Sequence, residues 1–355
     1  MPTTHTAEAP APSHSGARRP GAILITGAGG EIGHGLIERF HTDHRGSVVA
    51  MDVRDLDAEL KSKCHEALVG DICDPSLMER LLATYEITEV YHLAALLSTR
   101  SEFNPEAAHE VNVKGTLNLL KLAAEQARSH GRRVKFIFPS SIAAYGMPDL
   151  VTKARAGAVK EHEWCMPATM YGCNKLACEH LGRYYARHYR LLAKDRIPNI
   201  LDFRSIRFPG IISAHTLPSG GTSDFGPEML HAAAKGVPYA CFVREDSRIP
   251  FMTMPDAIEA LLTLASADAS RLTQVVYNVS AFSPSAGEFA ERVRKSFPGA
   301  SITFQPDLQR QQIVDSWPAD CDDAAARRDW GYRPKHDFEK AFSEYLVPAI
   351  RARYA

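Results

Sequence analysis

A strand that runs into a helix through a glycine-rich turn constrains this chain more than any other feature. Residues 22–40, AILITGAGGEIGHGLIERF, begin as a short apolar run and end with apolar positions at helical spacing. Between them Gly27, Gly30 and Gly33 form G-x-x-G-x-x-G. Glycine suits that place because the backbone must turn sharply and come within contact distance of a pyrophosphate, whose charge the following helix N-terminus then binds. Glycine patterns are weak alone, but this one sits between a strand and a helix, the context it requires. Asp52 adds a separate signal, closing the second strand, SVVAMDVRD. A carboxylate there accepts hydrogen bonds from the adenosine ribose and repels a 2′-phosphate, which favours NAD over NADP. Arg54, two residues on, could attract that phosphate, and Asp52 could simply cap a turn.

The pattern then repeats. ALVGDICDPSLMERLL reads as a third strand and a helix opened by Asp74 and Pro75. EVYHLAALLS is a fourth strand, NPEAAHEVNVKGTLNLLKLAAEQA a long helix, and VKFIFPSSIAAYG a fifth strand. Strands alternating with helices at this spacing imply an α/β fold with a doubly wound parallel sheet. MYGCNKLACEHLGRYYARHY gives a further helix and ILDFRSIRFPGIIS a further strand. Beyond them lie turns, short helices and two strand candidates, VVYNVS and SITFQP. The expected organisation is a tail over 1–20, a nucleotide-binding domain over 21–209, and a smaller α/β substrate lobe over 210–355, interleaved with the first.

In such a sheet ligands lie at the C-terminal ends of the strands. The expected cofactor contacts are therefore Asp71 and Ile72, ending the third strand, and Leu93, Ala94 and Ala95, ending the fourth. Glu31 and Ile32 in the turn, Asn112 on the long helix and Pro209 after the sixth strand complete the set. Each of these, taken alone, also reads as core.

Composition excludes other classes. A formal net charge of −1, with basic residues scattered among acids, offers no footprint for nucleic acid or an anionic membrane. No run approaches the roughly 18 apolar residues of a membrane span. The first twenty residues, rich in Pro, Ala, Ser and Thr, lack the apolar core of a secretory signal. The seven cysteines show neither C-x-x-C spacing nor a zinc pattern, so reduced thiols, a cytoplasmic setting and no metal are expected. The partner expected is a small molecule.

Tyr171 and Lys175 stand four apart in a helical stretch, hence on one face. A phenol with its ordinary pKa of about 10 is a poor base at neutral pH, and a nearby ammonium would favour the phenolate. Ser140 and Ser141 end the fifth strand, where one hydroxyl could hold a substrate oxygen while Tyr171 exchanges its proton. Tyr-x-x-x-Lys can be a mere surface pair. With the glycine turn and a strand ending in Ser, in this chain order, dehydrogenation of an alcohol is the natural chemistry.

These residues resemble the extended short-chain dehydrogenases. PSSIAAYG, TMYGCNK, RFPGIIS, SGGTSDF, RIPFMTMPDA and QIVDSWPADCDDAAARRDWGY together resemble the short-chain type of L-threonine 3-dehydrogenase, from residue 22 to about 347. The resemblance implies a Rossmann-type sheet and NAD-dependent oxidation of the β-hydroxyl of L-threonine, or of a related β-hydroxy amino acid, to a 2-amino-3-oxo acid. It makes Tyr171 the base, Lys175 its modulator and a ribose ligand, and Ser141 the hydroxyl that polarises the substrate oxygen. Ser98, Ser140, Gly210, Thr222 and Trp317 fall where that family contacts the amino acid. Thr222 also suits a residue that only shapes a turn, and Trp317 one that only anchors packing between the lobes. The superfamily also implies a homodimer through the helices near 105–127 and 169–190. Two other readings stay open: a nucleotide-sugar 4-epimerase of the same superfamily, and a non-catalytic NAD-binding redox sensor.

Overall fold

The computed structural model describes residues 19–218 and 220–354. The expected tail lies outside these, save Arg19 and Pro20, which are held to the body. The Arg19 guanidinium donates to Ser129 Oγ at 2.6 Å, and the Pro20 carbonyl accepts from the Glu86 amide at 2.9 Å.

The first part of the chain runs β1 (Gly21–Thr26), α1 (Glu31–Thr42), β2 (Val48–Asp52), α2 (Ala58–Ser62), β3 (Glu66–Val69), α3 (Pro75–Thr84) and β4 (Glu86–His92). It continues through α4 (Ser98–Phe103), α5 (Pro105–His109), a π-helical turn (Glu110–Lys114), α6 (Gly115–His130), β5 (Val134–Ser141), α7 (Leu150–Ala156), β6 (Ala158–Val159), α8 (Met170–Arg187) and β7 (Leu201–Phe208). The later part contains β8 (Gly210–Ile212), α9 (Phe225–Lys235), β9 (Tyr239–Cys241), β10 (Phe251–Thr253), α10 (Met254–Ser266), β11 (Val276–Asn278), α11 (Ala286–Ser296), β12 (Ile302–Phe304), α12 (Leu308–Ser316), β13 (Asp320–Cys321) and α13 (Ala324–Trp330).

Seven strands form one parallel sheet in the order β11-β7-β5-β4-β1-β2-β3. The winding reverses between β1 and β4, and the crevice at that switch point is where such sheets bind ligands. Local chemistry explains the elements that frame it. Helix α1 buries Gly33, Leu36, Ile37 and Phe40, one stripe at helical spacing. The Asp74 carboxylate accepts the Ser76 amide at 2.9 Å and Pro75 opens α3, as the sequence indicates.

Three boundaries differ from expectation. Strand β3 stops at Val69, so Asp71 and Ile72 lie in the turn beyond it, where Asp71 accepts the Cys73 amide at 2.8 Å. The expected long helix is interrupted by the π turn at Glu110–Lys114, where the Asn112 carbonyl accepts the Thr116 hydroxyl at 2.5 Å and the Cys178 thiol at 3.2 Å. The strand through residues 200–213 divides at Pro209, which brings no N–H to a ladder. Its first half, β7, stays in the large sheet, and its second, β8, pairs with β10.

The later lobe is held differently. Its strands form parallel pairs only two or three residues long: β8 with β10, β9 with β12, and β13 with β6. Between them Phe225, Phe251, Phe289 and Phe342 pack edge-to-face or tilted in a core shielded from water. The chain also returns to the first lobe: α10 packs on α1, and β11 becomes the edge strand beside β7. No described helix is long and apolar enough to cross a membrane.

Candidate active site

The turn after β1 is shaped by close approach. Gly27 has φ of +69°, and a Cβ there would stand 2.5 Å from the Ala94 amide nitrogen. Leu93 and Ala94 at the end of β4 therefore press directly on the turn, with Ala95 following. Gly30 caps α1 with no side chain bonded to the first-turn amides, so those of Glu31 and Ile32 stay open to an anion. Gly33 is buried in that same turn of α1. Asp52 lies at the end of β2, one carboxylate oxygen accepting the Gly29 amide at 2.9 Å and the other the Arg54 amide at 3.1 Å. Gly29 was not legible as a site residue, although its place beside Gly30 in G-A-G-G marks it. Open amides, a turn without side chains and a fixed carboxylate together suit a dinucleotide.

Around this rim the other expected cofactor residues take varied positions. Ile72 is buried against Gly115, and Asp71 is exposed. Asn112 is buried, its amide oxygen accepting from the Leu96 backbone at 2.7 Å and its amide nitrogen donating to the Leu96 carbonyl at 3.0 Å. It thus braces the segment that leaves β4. Pro209 is buried between β7 and β8. His92 is core, its ring nitrogens bonded to the hydroxyls of Thr26 and Thr116, both at 2.8 Å. Burial, with the Lys175 charge adding to it, pushes His92 down to about 3, so it stays neutral.

Helix α8 carries the catalytic candidates. Its start is set by Thr169, whose hydroxyl accepts the Gly172 amide at 3.1 Å, and by Glu102 of α4, which accepts the Met170 amide at 2.7 Å. At Gly172 a Cβ would come 2.0 Å from the Ala143 carbonyl oxygen, so glycine is what lets α8 seat against the end of β5. This packing brings Tyr171, Lys175 and Ser141 together. The Ser141 hydroxyl lies near enough to the Tyr171 phenol to favour its ionised form, and accepts the Ala143 amide at 3.1 Å. Lys175 is buried, donates to the Pro139 carbonyl at 2.6 Å, and lies 5.5 Å from the centre of the Tyr171 ring.

Burial pushes the Tyr171 phenol well above its ordinary value, and the Ser141 hydroxyl opposes that rise. For Lys175, burial lowers the ammonium to about 8, against opposition from Cys178 and Glu179. Desolvation is thus the largest influence on Tyr171 in the free protein, and the downward pull expected from Lys175 is not among the influences on it. Lys175 nevertheless remains largely an ammonium at neutral pH and lies close to the ring, where it can stabilise a phenolate.

The expected substrate residues are more dispersed. Ser98 opens α4, and the next residue, Thr99, donates to the Gly220 carbonyl at 3.1 Å. The segment that carries Ser98 thus touches the loop that carries the buried Thr222. Gly210 starts β8 beside the Phe251 ring. Ser140 is buried and donates to Glu179 at 2.5 Å. Trp317 ends α12 and is buried in the aromatic core of the later lobe.

Comparison with known proteins agrees with this geometry. The model of the family described as "NAD dependent epimerase/dehydratase family" matches residues 23–280. The chain belongs to that family. Within it, the mitochondrial L-threonine 3-dehydrogenase of Bos taurus is 36% identical over 333 residues, spanning 89% of this chain and 79% of that protein. A monomeric L-threonine 3-dehydrogenase from a metagenome superposes with a TM-score of 0.81 at 34% identity, over 94% of this chain and 100% of that one. The GalE-like L-threonine dehydrogenase of Cupriavidus necator, in its holo form, gives 0.79 at 33%, with 94% and 100% covered. As a member of the epimerase/dehydratase family with such relatives, the chain is an NAD-dependent enzyme of oxidoreductase type.

Proposed function

We propose that the protein oxidises the β-hydroxyl of L-threonine, or of a closely related β-hydroxy amino acid, to the 2-amino-3-oxo acid, with NAD as oxidant. The observation that carries this reading is the gathering of Ser141, Tyr171 and Lys175 where α8 packs on the end of β5, in a fold whose glycine-rich β1–α1 turn is tied to the Asp52 carboxylate. The open amides of Glu31 and Ile32 would hold the pyrophosphate, with Gly27, Gly30 and Gly33 letting the backbone come close to it. Asp52 would take the adenosine ribose, with Asp71 and Ile72 near the adenine. Leu93, Ala94, Ala95, Asn112 and Pro209 would border the rest, and Lys175 would reach the second ribose. Bound there, NAD accepts a hydride from the β-carbon.

The chain's own groups handle the proton. Ser141 orients the substrate hydroxyl, Tyr171 takes its proton as the carbonyl forms, and the Lys175 ammonium stabilises the phenolate. Ser98, Ser140, Gly210, Thr222 and Trp317 are the residues proposed to contact or shape the amino acid site. A cytoplasmic homodimer joined through α6 and α8 belongs to the same proposal. Light scattering at micromolar concentration checks the dimer, and a monomer mass, as the name of the metagenomic relative describes, would overturn it.

The test of function is NADH formation followed by absorbance with L-threonine, L-serine and bulkier β-hydroxy amino acids, beside a coupled assay for UDP-sugar conversion, which is redox-neutral and leaves no NADH. Reduction with L-threonine, falling by about 10²- to 10⁴-fold in Tyr171→Phe, is the expected result. Turnover of UDP-glucose alone would move the chain to the epimerases. Full turnover by Tyr171→Phe would remove the assigned base.

A further inference from the structure

Behind the candidate site lies a charged pair that the chemistry above does not use. Glu179 and Arg207 are 1% and 2% exposed, so both charges are withdrawn from water. Arg207 grips the carboxylate with two bonds, Nε to Oε1 at 2.8 Å and a terminal nitrogen to Oε2 at 2.6 Å. Its other terminal nitrogen donates to the Glu161 carbonyl at 2.8 Å, and its plane lies 4.6 Å from the centre of the Tyr145 ring. A buried pair of this kind is often no more stabilising than apolar side chains of similar volume. Stability alone is therefore a poor reason for its presence.

Its place in the fold supplies a better one. Tyr171, Lys175 and Glu179 occupy successive turns of one face of α8. Each meets one of three consecutive residues of β5: Tyr171 lies near the Ser141 hydroxyl, Lys175 donates to the Pro139 carbonyl, and Glu179 accepts from the Ser140 hydroxyl. Glu179 is thus the third rung of the ladder that sets the other two. Arg207 ties that rung to β7, and through Glu161 to the segment before α8. Glu161 itself accepts the Asn278 amide of β11 at 3.0 Å.

The pair is also oriented. The carboxylate sits between the Ser140 hydroxyl of β5 and the guanidinium, while the guanidinium also meets Tyr145 and the residue 161–165 segment, where it lies 3.5 Å from Cys165 Sγ. The groups acting on Lys175 are Cys178 and Glu179 from its own helix and His92 from β4. His92 is neutral and burial keeps the Cys178 thiol protonated, so Glu179 supplies the negative charge.

We propose that Glu179 and Arg207 are positioning residues for the reaction: the pair holds α8 in register with β5 and keeps a carboxylate one helical turn beyond Lys175. This inference rests on the assignment of Tyr171 and Lys175 above.

The decisive protein is the double variant Glu179→Met with Arg207→Met, which removes both charges and leaves no unpaired one. It is expected to melt close to the unmodified protein and to bind NAD with unchanged affinity in a fluorescence titration. Its kcat with the amino acid should fall by about tenfold, with little change in KM, and the alkaline limb of the pH profile should move down by about one unit. Glu179→Asp, which keeps the charge but shortens the reach, should lose kcat while retaining the alkaline limb. A folded double variant with unaltered kcat and pH profile would overturn the proposal.

If the double variant does not fold, Ser140→Ala removes one bond of the ladder without disturbing the pair. A fall in kcat of about threefold, with the limb and the KM for the amino acid in place, is then expected, whereas a lost substrate contact at Ser140 would raise KM. An unchanged kcat would sink the positioning role. Tyr171→Phe measured alongside separates the two readings. Full activity there refutes the site assignment itself, whereas an inactive Tyr171→Phe beside a fully active double variant refutes only the role of the pair.

Discussion

The two lobes solve the problem of making a site by opposite means. In the first, the main chain does most of the work. Long parallel strands end at one rim, a turn without side chains lies between β1 and α1, and Gly27 sits against the backbone of Ala94. In the second, the strands are too short to organise anything alone, and side-chain shape takes over, with Phe225, Phe251, Phe289 and Phe342 packed together. The contrast teaches that damage should be separable: backbone-level changes in the first lobe should strike the cofactor, and packing changes in the second should strike stability.

Substituting Phe289→Ala should give the largest effect on folding. Removing a fully buried ring from a core with little ladder support costs about 4 kcal/mol, and the melting temperature should fall accordingly. NAD affinity at a temperature where the protein remains folded should hardly change. A large loss of NAD affinity would show that the lobes are not separable.

Gly27→Ala comes next. The positive φ and the 2.5 Å approach to the Ala94 nitrogen leave no room for a methyl group, so the turn must shift at a cost of about 3 kcal/mol. NAD affinity measured by titration should drop by more than about tenfold. Unaltered binding would break the claim that backbone contact builds the site.

The smallest effect concerns His92, where the first lobe depends on a side chain. Its folded value of about 3 lies below the ordinary value, so the unfolded chain takes up a proton first as pH falls. The stability associated with the neutral ring is complete above about pH 6.5 and declines toward pH 3, by about 2 kcal/mol at pH 5. In His92→Gln the fall in melting temperature between pH 7 and pH 5 should be shallower. An identical slope would remove His92 as the cause.

The same contrast governs what could be read from the sequence. The glycine turn, Asp52 and the Tyr171–Lys175 spacing were legible because each couples a local backbone demand to a residue type within a few positions. The start of α3 at Asp74 and Pro75 was legible for the same reason. The Glu179–Arg207 pair was not, since its partners lie 28 residues apart on different elements. One hint was present: Glu179 continues the four-residue spacing of Tyr171 and Lys175. The division at Pro209 was marked by the proline itself, yet the move of β8 to a new partner depends on β10, some forty residues later. Trp317 shows the limit from the other side, because an aromatic in a distinctive motif is equally suited to a core.

The late strand β11 has a bearing on how the molecule comes into being. Until residues 276–278 have been synthesised, β7 has an uncovered flank offering unpaired amides and carbonyls to any passing chain. Vectorial folding from the ribosome cannot finish the nucleotide-binding half first and add the rest afterwards. Most of the polypeptide must emerge before the large sheet closes, and a truncation near residue 209 would yield an aggregation-prone fragment rather than an independent module.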